Sequence, residues 1–195
     1  MSHSQRTDRC AGARRGVAAV EFALVAPFIM LLMLVGTDLT IFMRSKMRVD
    51  ETATEVALAV TQYQNLYDSD FTILFNAAQT IAGTTPVTGL FGTTIITGIV
   101  TDTNDRQTIA WQKRSTQATF NSLFGTTVGS VPNLPNNYLM PKSGTLIAVE
   151  VFTSASPWVL SASLMGGAGT ASLRSYALYQ PRLGSLSTVT AGTRP

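Results

Sequence analysis

Residues 14–39, RRGVAAVEFALVAPFIMLLMLVGTDL, form an almost unbroken apolar run, with one carboxylate, Glu21, near its start. No other feature constrains the fold as strongly. From Val17 to Met43 the only charged residues are Glu21 and Asp38. The charge-free core, residues 22–37, falls slightly short of the roughly 20 apolar residues that cross a bilayer. With its flanks, the segment 17–43 reaches about 40 Å as a helix, enough for a full span. A charge at the centre of a membrane helix costs about 2.5–3.5 kcal/mol on insertion scales. Glu21 therefore needs a compensating partner, and nothing adjacent in the sequence supplies one.

Four arginines (Arg6, Arg9, Arg14, Arg15) precede the run, and Arg44, Lys46 and Arg48 follow it. That difference barely orients the helix by the positive-inside rule. A short basic head before the span and a long polar body after it favour the N-terminus inside and the body outside. The formal charge of +3 belongs to the head. Removing residues 1–16 leaves ten basic and ten acidic side chains, a neutral body without the footprint of a nucleic-acid binder. Cys10 and His3 are the only cysteine and histidine. A chain shortened at residue 16 would have neither, which excludes disulfides, thiolate or imidazole metal ligands, and Ser-His or Cys-His catalysis. No metal and no cofactor are expected.

A basic head and an apolar run also fit a secretory signal peptide cut near LVGT, or a plain signal anchor. The pattern beyond the run argues otherwise. Val49, Ala53, Val56, Val60, Tyr63 and Tyr67 recur at spacings of three and four, which predicts that the helix continues out of the membrane as an amphipathic one. Asp68, Ser69 and Asp70 then offer capping groups for a second helix carrying Phe71, Leu74, Phe75, Ala78 and Ile81, with Gly83 as its stop. Past Gly83 the texture changes to Thr, Val and Ile punctuated by Gly and Pro. Residues 93–102 and 108–115 flank the polar turn TNDRQ and read as a hairpin. Residues 144–153, GTLIAVEVFT, read as the central strand, and 171–182 as a further strand ending at Pro181. Residues 121–144 read as a long loop with too few apolar positions for regular structure.

Glu150 in the central strand and Arg174 in the later one would form a cross-strand pair if those strands are neighbours. A lone carboxylate with no second titrating partner makes a poor catalytic site. Trp111 and Trp158 read as packing residues. The stretch 165–172, MGGAGTAS, lacks the G-K-[ST] ending of a phosphate loop and reads as flexible.

Basic residues, then Gly16, then an apolar run with glutamate as its fifth residue, resemble the type IV pilin processing signal. Cleavage after Gly16 would free an α-amine at Val17, and in packed helices the Glu21 carboxylate of one subunit would lie beside a neighbour's amine, each offsetting the other's desolvation. The wording is closer still to the TadE-like family, pseudopilins of tight-adherence (Tad, or type IVc) pilus systems. Their signature reads much like G-x-A-A-x-E-F-A-L-x-x-P, and Gly16, Ala18, Ala19, Glu21, Phe22, Ala23, Leu24 and Pro27 match it in place. Pro27 should bend the helix. Asp38 reads as a residue at the membrane–water interface. Trp111, Leu134-Pro135, Leu146–Val151 and Pro181-Arg182 resemble recurrent features of the family's body, whereas VFTSASP replaces an expected aromatic-rich stretch.

The expected fold is α+β and pilin-like: a leader (1–16), a transmembrane helix (17–43), a helical neck (44–82) and a β-rich periplasmic domain (83–195). The resemblance implies a non-enzymatic minor pseudopilin of a bacterial inner membrane, with its N-terminus cytoplasmic and its body periplasmic, acting in Flp pilus assembly or priming and hence adhesion. Implied partners are a prepilin peptidase, other pseudopilins and the major Flp-type pilin, the inner-membrane assembly platform and membrane lipid, with no nucleic acid. The alternative is a signal-anchored periplasmic binding or structural domain unrelated to pili.

Overall fold

The apolar run and the amphipathic stretch after it are one helix. The computed structural model describes residues 5–116, 120–135, 138, 140–155 and 171–194, with backbone alone for 5–16 and 171. Helix α1 spans Gln5–Thr61 and contains Pro27. Between residues 17 and 61 only Gly36 and Pro27 disfavour a helix. Thr37 and Thr40 turn their hydroxyls onto the carbonyls of Met33 and Gly36, at 2.9 and 2.8 Å. That removes two polar groups from apolar surroundings without a partner helix. None of the residues in the most apolar window of α1 is buried.

Apolar burial begins where the body starts. Val49, Ala53, Val56 and Val60 are at most 1% exposed, and α1 packs this stripe on the sheet and on α2 (Asp68–Ala82). The helix ends at Thr61, short of the expected continuation through Tyr63 and Tyr67. There Gln62 and Tyr63 turn back to bond the carbonyls of Ala59 and Val60 at 3.2 Å, and the Thr61 carbonyl accepts the Arg182 N–H at 3.1 Å. Gly184 crosses the Gln64 carbonyl so closely that a Cβ would lie 2.6 Å from it. Tyr63 still packs on the core, whereas Tyr67 belongs to β1 (Leu66–Tyr67), which pairs in parallel with β6 (Val189–Thr190). Helix α2 follows its expected bounds. Asp70 Oδ2 accepts the Tyr67 N–H at 3.0 Å, and Gly83, at φ 62°, ends the helix with its N–H on the Gln79 and Thr80 carbonyls. Phe71, Leu74 and Ala78 are buried.

The sheet contains β2 (Gly92–Thr101), β3 (Gln107–Arg114), β4 (Thr145–Ala155) and β5 (Ala171–Tyr179), all antiparallel, in the order β3-β2-β4-β5. The hairpin and the inner position of the 144–153 strand thus agree with the sequence. One face, with Ile96, Trp111, Ile147, Val149, Val151 and Ala177, meets the helices. Trp111 stands edge-on to Phe71 at 5.5 Å and donates its indole N–H to the Leu186 carbonyl at 2.9 Å. Its ring lies over Gly98, the residue opposite, where a Cβ would come within 2.3 Å of it. The other face carries Ile99, Leu146 and Ala148 and is covered by Phe124, Leu134 and Met140. These come from the 121–144 segment. It holds no strand or α-helix among its described residues, yet it supplies a second core layer. Burial on both faces explains why β4 is sealed from Thr145 to Thr153. Trp158 and residues 165–170 lie outside the described residues.

Candidate functional site

The signature residues are placed by α1 alone. Gly16 and Val17 lie within the helix. Glu21 is four positions after Val17, so about one helical turn puts both on the same face about 6 Å apart along the axis. Val17 is 58% exposed, Phe22 70% and Leu24 66%, and Glu21 is exposed as well. Among the described residues Glu21 has no hydrogen bond or ion pair. The carboxylate thus projects from a helix whose surroundings, by composition, are apolar. Pro27, one and a half turns further on, removes an N–H from the ladder and lies inside the helix.

Asp38 departs from its expected place. Instead of facing water at the membrane interface it is 4% exposed, while Leu39 beside it is 53% exposed. The chain itself shields this carboxylate, so the two acids of the span differ in kind.

Polar anchors fix how α1 leaves the body. Lys46 Nζ lies 2.5 Å from Asp50 Oδ1 and 3.0 Å from the Arg174 carbonyl on β5. Partial burial pushes the Asp50 carboxyl up, but hydrogen bonds from Lys46 and Ser175 and the Lys46 charge outweigh it and hold it below its ordinary value. At the far end Arg194 pairs with Asp70 at 3.1 Å and lies over the rings of Tyr63 and Tyr67, tying the C-terminal segment to the α1–α2 junction.

Among the described residues the one fully buried charge in the core is Glu150, at 0% exposure. Strands β4 and β5 are neighbours, so the pair with Arg174 forms as the sequence allowed, at 2.6 Å, with Arg174 two residues along from the position directly opposite. Two further donors were not legible: the Ser122 hydroxyl and the Leu123 N–H, the latter at 3.0 Å. Arg174 also sits among the rings of Phe124, Phe152 and Tyr176, 5.2 to 5.8 Å from its guanidinium. Every oxygen of Glu150 is held by a donor, which makes this a structural anchor for the covering loop and not a poised base. Among the described residues no three of His, Cys, Asp and Glu converge as a metal would require. The groove beside the β2–β3 turn, about 360 Å³, is lined by Asp105, Arg106, Val131 and Tyr138, and Asp105 is paired with Lys142 there.

Residues 16–58 match the family model described as TadE-like protein. This is the family that the signature resembles, and the match runs from Gly16 to within three residues of the end of α1. The match suggests a Tad pilus-associated protein, and among the described residues one helix is long and apolar enough to cross a membrane, which suggests single-pass anchoring. Neither the curated proteins nor the solved structures gave a match.

Proposed function

We propose that this Tad pilus-associated chain, TadE-like over residues 16–58, is a minor pseudopilin: an assembly subunit that catalyses nothing. A prepilin peptidase cuts after Gly16 and frees the Val17 amine. The shortened chain stays in the bacterial inner membrane with its N-terminus on the cytoplasmic side and its body in the periplasm. From there it joins other pseudopilins and the major Flp-type pilin in building or priming the filament, and so serves adhesion. The observation that carries this reading is Glu21, exposed on an apolar helix with no counter-charge among the described residues. A lone carboxylate in lipid is expensive, and helices packed in register would supply each one with a neighbour's amine. Glycine suits the cut for two reasons: it enters an extended protease cleft without a side chain, and it gives up helix at roughly 1 kcal/mol less than alanine.

Glu21→Ala tests it by separating processing from assembly. The span becomes more apolar, so membrane level and the mass of the mature chain should stay as in the wild type. The amine of a packed neighbour would lose its counter-charge. Breaking a buried pair from one side costs about 3–5 kcal/mol, or two or more orders of magnitude in association. Pilin-type partners should no longer co-purify, and piliation should fail. Glu21→Gln, which keeps shape without charge, should fail as well. Wild-type piliation by Glu21→Ala would refute the register role and leave a membrane-anchored periplasmic domain as the reading.

A further inference from the structure

The body carries two large apolar side chains that its own fold pushes into the open. Leu90 is 86% exposed and Phe91 65%. They occupy the turn that leads into β2, and that turn is pinned at both ends. The Gly89 N–H bonds the Thr116 hydroxyl at 2.8 Å. At Gly92 the Pro86 carbonyl comes so close that a Cβ would lie 2.0 Å from it. No charged residue occurs between Gly83 and Thr101. A stiff, uncharged tip bearing an exposed leucine and phenylalanine is unfavourable in water.

Its place relative to α1 identifies what it meets. The Phe91 carbonyl accepts the Ser154 N–H at 2.7 Å, and Ser154 is opposite Ser172 on β5. Strand β5 runs alongside α1 in the same direction: Lys46 Nζ links Asp50 to the carbonyl of Arg174, next to Ser175, and the Arg182 N–H bonds the Thr61 carbonyl. Ser172 lies three residues before Ser175, about 10 Å along the strand. The same distance on α1 is about seven residues, from Asp50 back to Met43. A hydrocarbon core about 30 Å thick, entered at Val17, is crossed by about 20 residues and ends near Thr37. The Phe91 backbone therefore lies about 9 Å beyond it, at the outer edge of a headgroup layer about 5–8 Å deep on each side and within a side chain's length of it. Helix α1 is continuous through this boundary, so it holds the body at a fixed height above the lipid.

We propose that Leu90 and Phe91 are a second membrane contact, resting in the headgroup region of the bilayer that α1 crosses. This rests on α1 being a membrane span. The contact sits at the start of β2, an inner strand two across from β5, and together with α1 it fixes the rotation of the body about the helix axis. That rotation decides which face of the domain meets a neighbouring subunit.

The test uses the full chain in vesicles of phosphatidylethanolamine and phosphatidylglycerol. Cys10→Ser removes the only cysteine, and single cysteines carrying an environment-sensitive fluorophore are placed by Leu90→Cys, by Leu32→Cys in mid-span, and by Val131→Cys beside the β2–β3 turn at the opposite end of the sheet. The expected result is loss of Leu90-site emission with a shallow spin-labelled lipid, loss of Leu32-site emission with a deep one, and no loss at Val131. A quenched Leu32 site with an unquenched Leu90 site overturns the contact while leaving the span intact. If the Leu90 probe becomes shielded only when the major pilin is added, the tip is a subunit contact and the proposal is equally overturned. An unquenched Leu32 site overturns the span and the proposal with it.

Discussion

Replacing Arg174 with methionine should damage the body more than replacing both Arg174 and Glu150. Glu150 is fully buried and Arg174 is a quarter exposed, 25%, so the guanidinium supplies the full charge that the carboxylate faces. In Arg174→Met the carboxylate keeps only the Ser122 hydroxyl and the Leu123 N–H. Losing one partner of a buried pair costs about 3–5 kcal/mol. The two remaining neutral donors and the partial exposure of Arg174 favour the lower end, about 3 kcal/mol. For a body of this size each kcal/mol moves the melting temperature by about 2–4 °C, so the single variant should melt about 6–12 °C lower. In Glu150→Met/Arg174→Met no charge is left buried, and apolar replacement of a buried pair is often neutral or stabilising. The double variant should therefore recover most of the loss, with Ser122 and Leu123 turned to water. Thermal unfolding of the full chain in detergent, followed by circular dichroism, measures both. A single variant within 2 °C of the wild type, or a double variant melting below the single one, would refute the reasoning.

Gly16→Leu should block the cut and leave full-length protein in the membrane; intact mass decides, and a chain beginning at Val17 would contradict the leader. Gly98→Ala drives a methyl into the Trp111 ring. It should destabilise the body by about 1–3 kcal/mol, the usual cost of overpacking, visible as a lower melting temperature and an altered Trp111 environment. The β2–β3 turn should loosen in acid. The Asp102 carboxylate accepts the backbone N–H groups of Arg106 and Asn104, which hold it below its ordinary value. A depressed carboxylate contributes its stabilisation above the unfolded value and loses it as pH falls through the folded one. Amide protection at Asn104 and Arg106 should therefore decline only below the ordinary aspartate range, and it should be absent at neutral pH in Asp102→Ala.

What the sequence determined was whatever rests on neighbours along the chain. The span follows from an apolar run, and its amphipathic continuation from a spacing of three and four. The hairpin follows from two alternating segments around TNDRQ, and the α2 stop from a glycine that adopts positive φ. Tertiary structure decided the rest, because distant residues supply it. The turn-out after Thr61 depends on Arg182 and Gly184 crossing the helix end, and a periodicity count sees neither. The covering layer of Phe124, Leu134 and Met140 comes from a segment whose apolar residues are too sparse to show a period; they become a core only once β2 and β4 place Ile99, Leu146 and Ala148 beneath them. Glu150 reads the same in sequence whether it is solvated or sealed. The 121–144 segment seals it, with Ser122 and Leu123 contributing donors from nearly thirty residues away. Glu21 stands apart, because the described fold leaves it exposed.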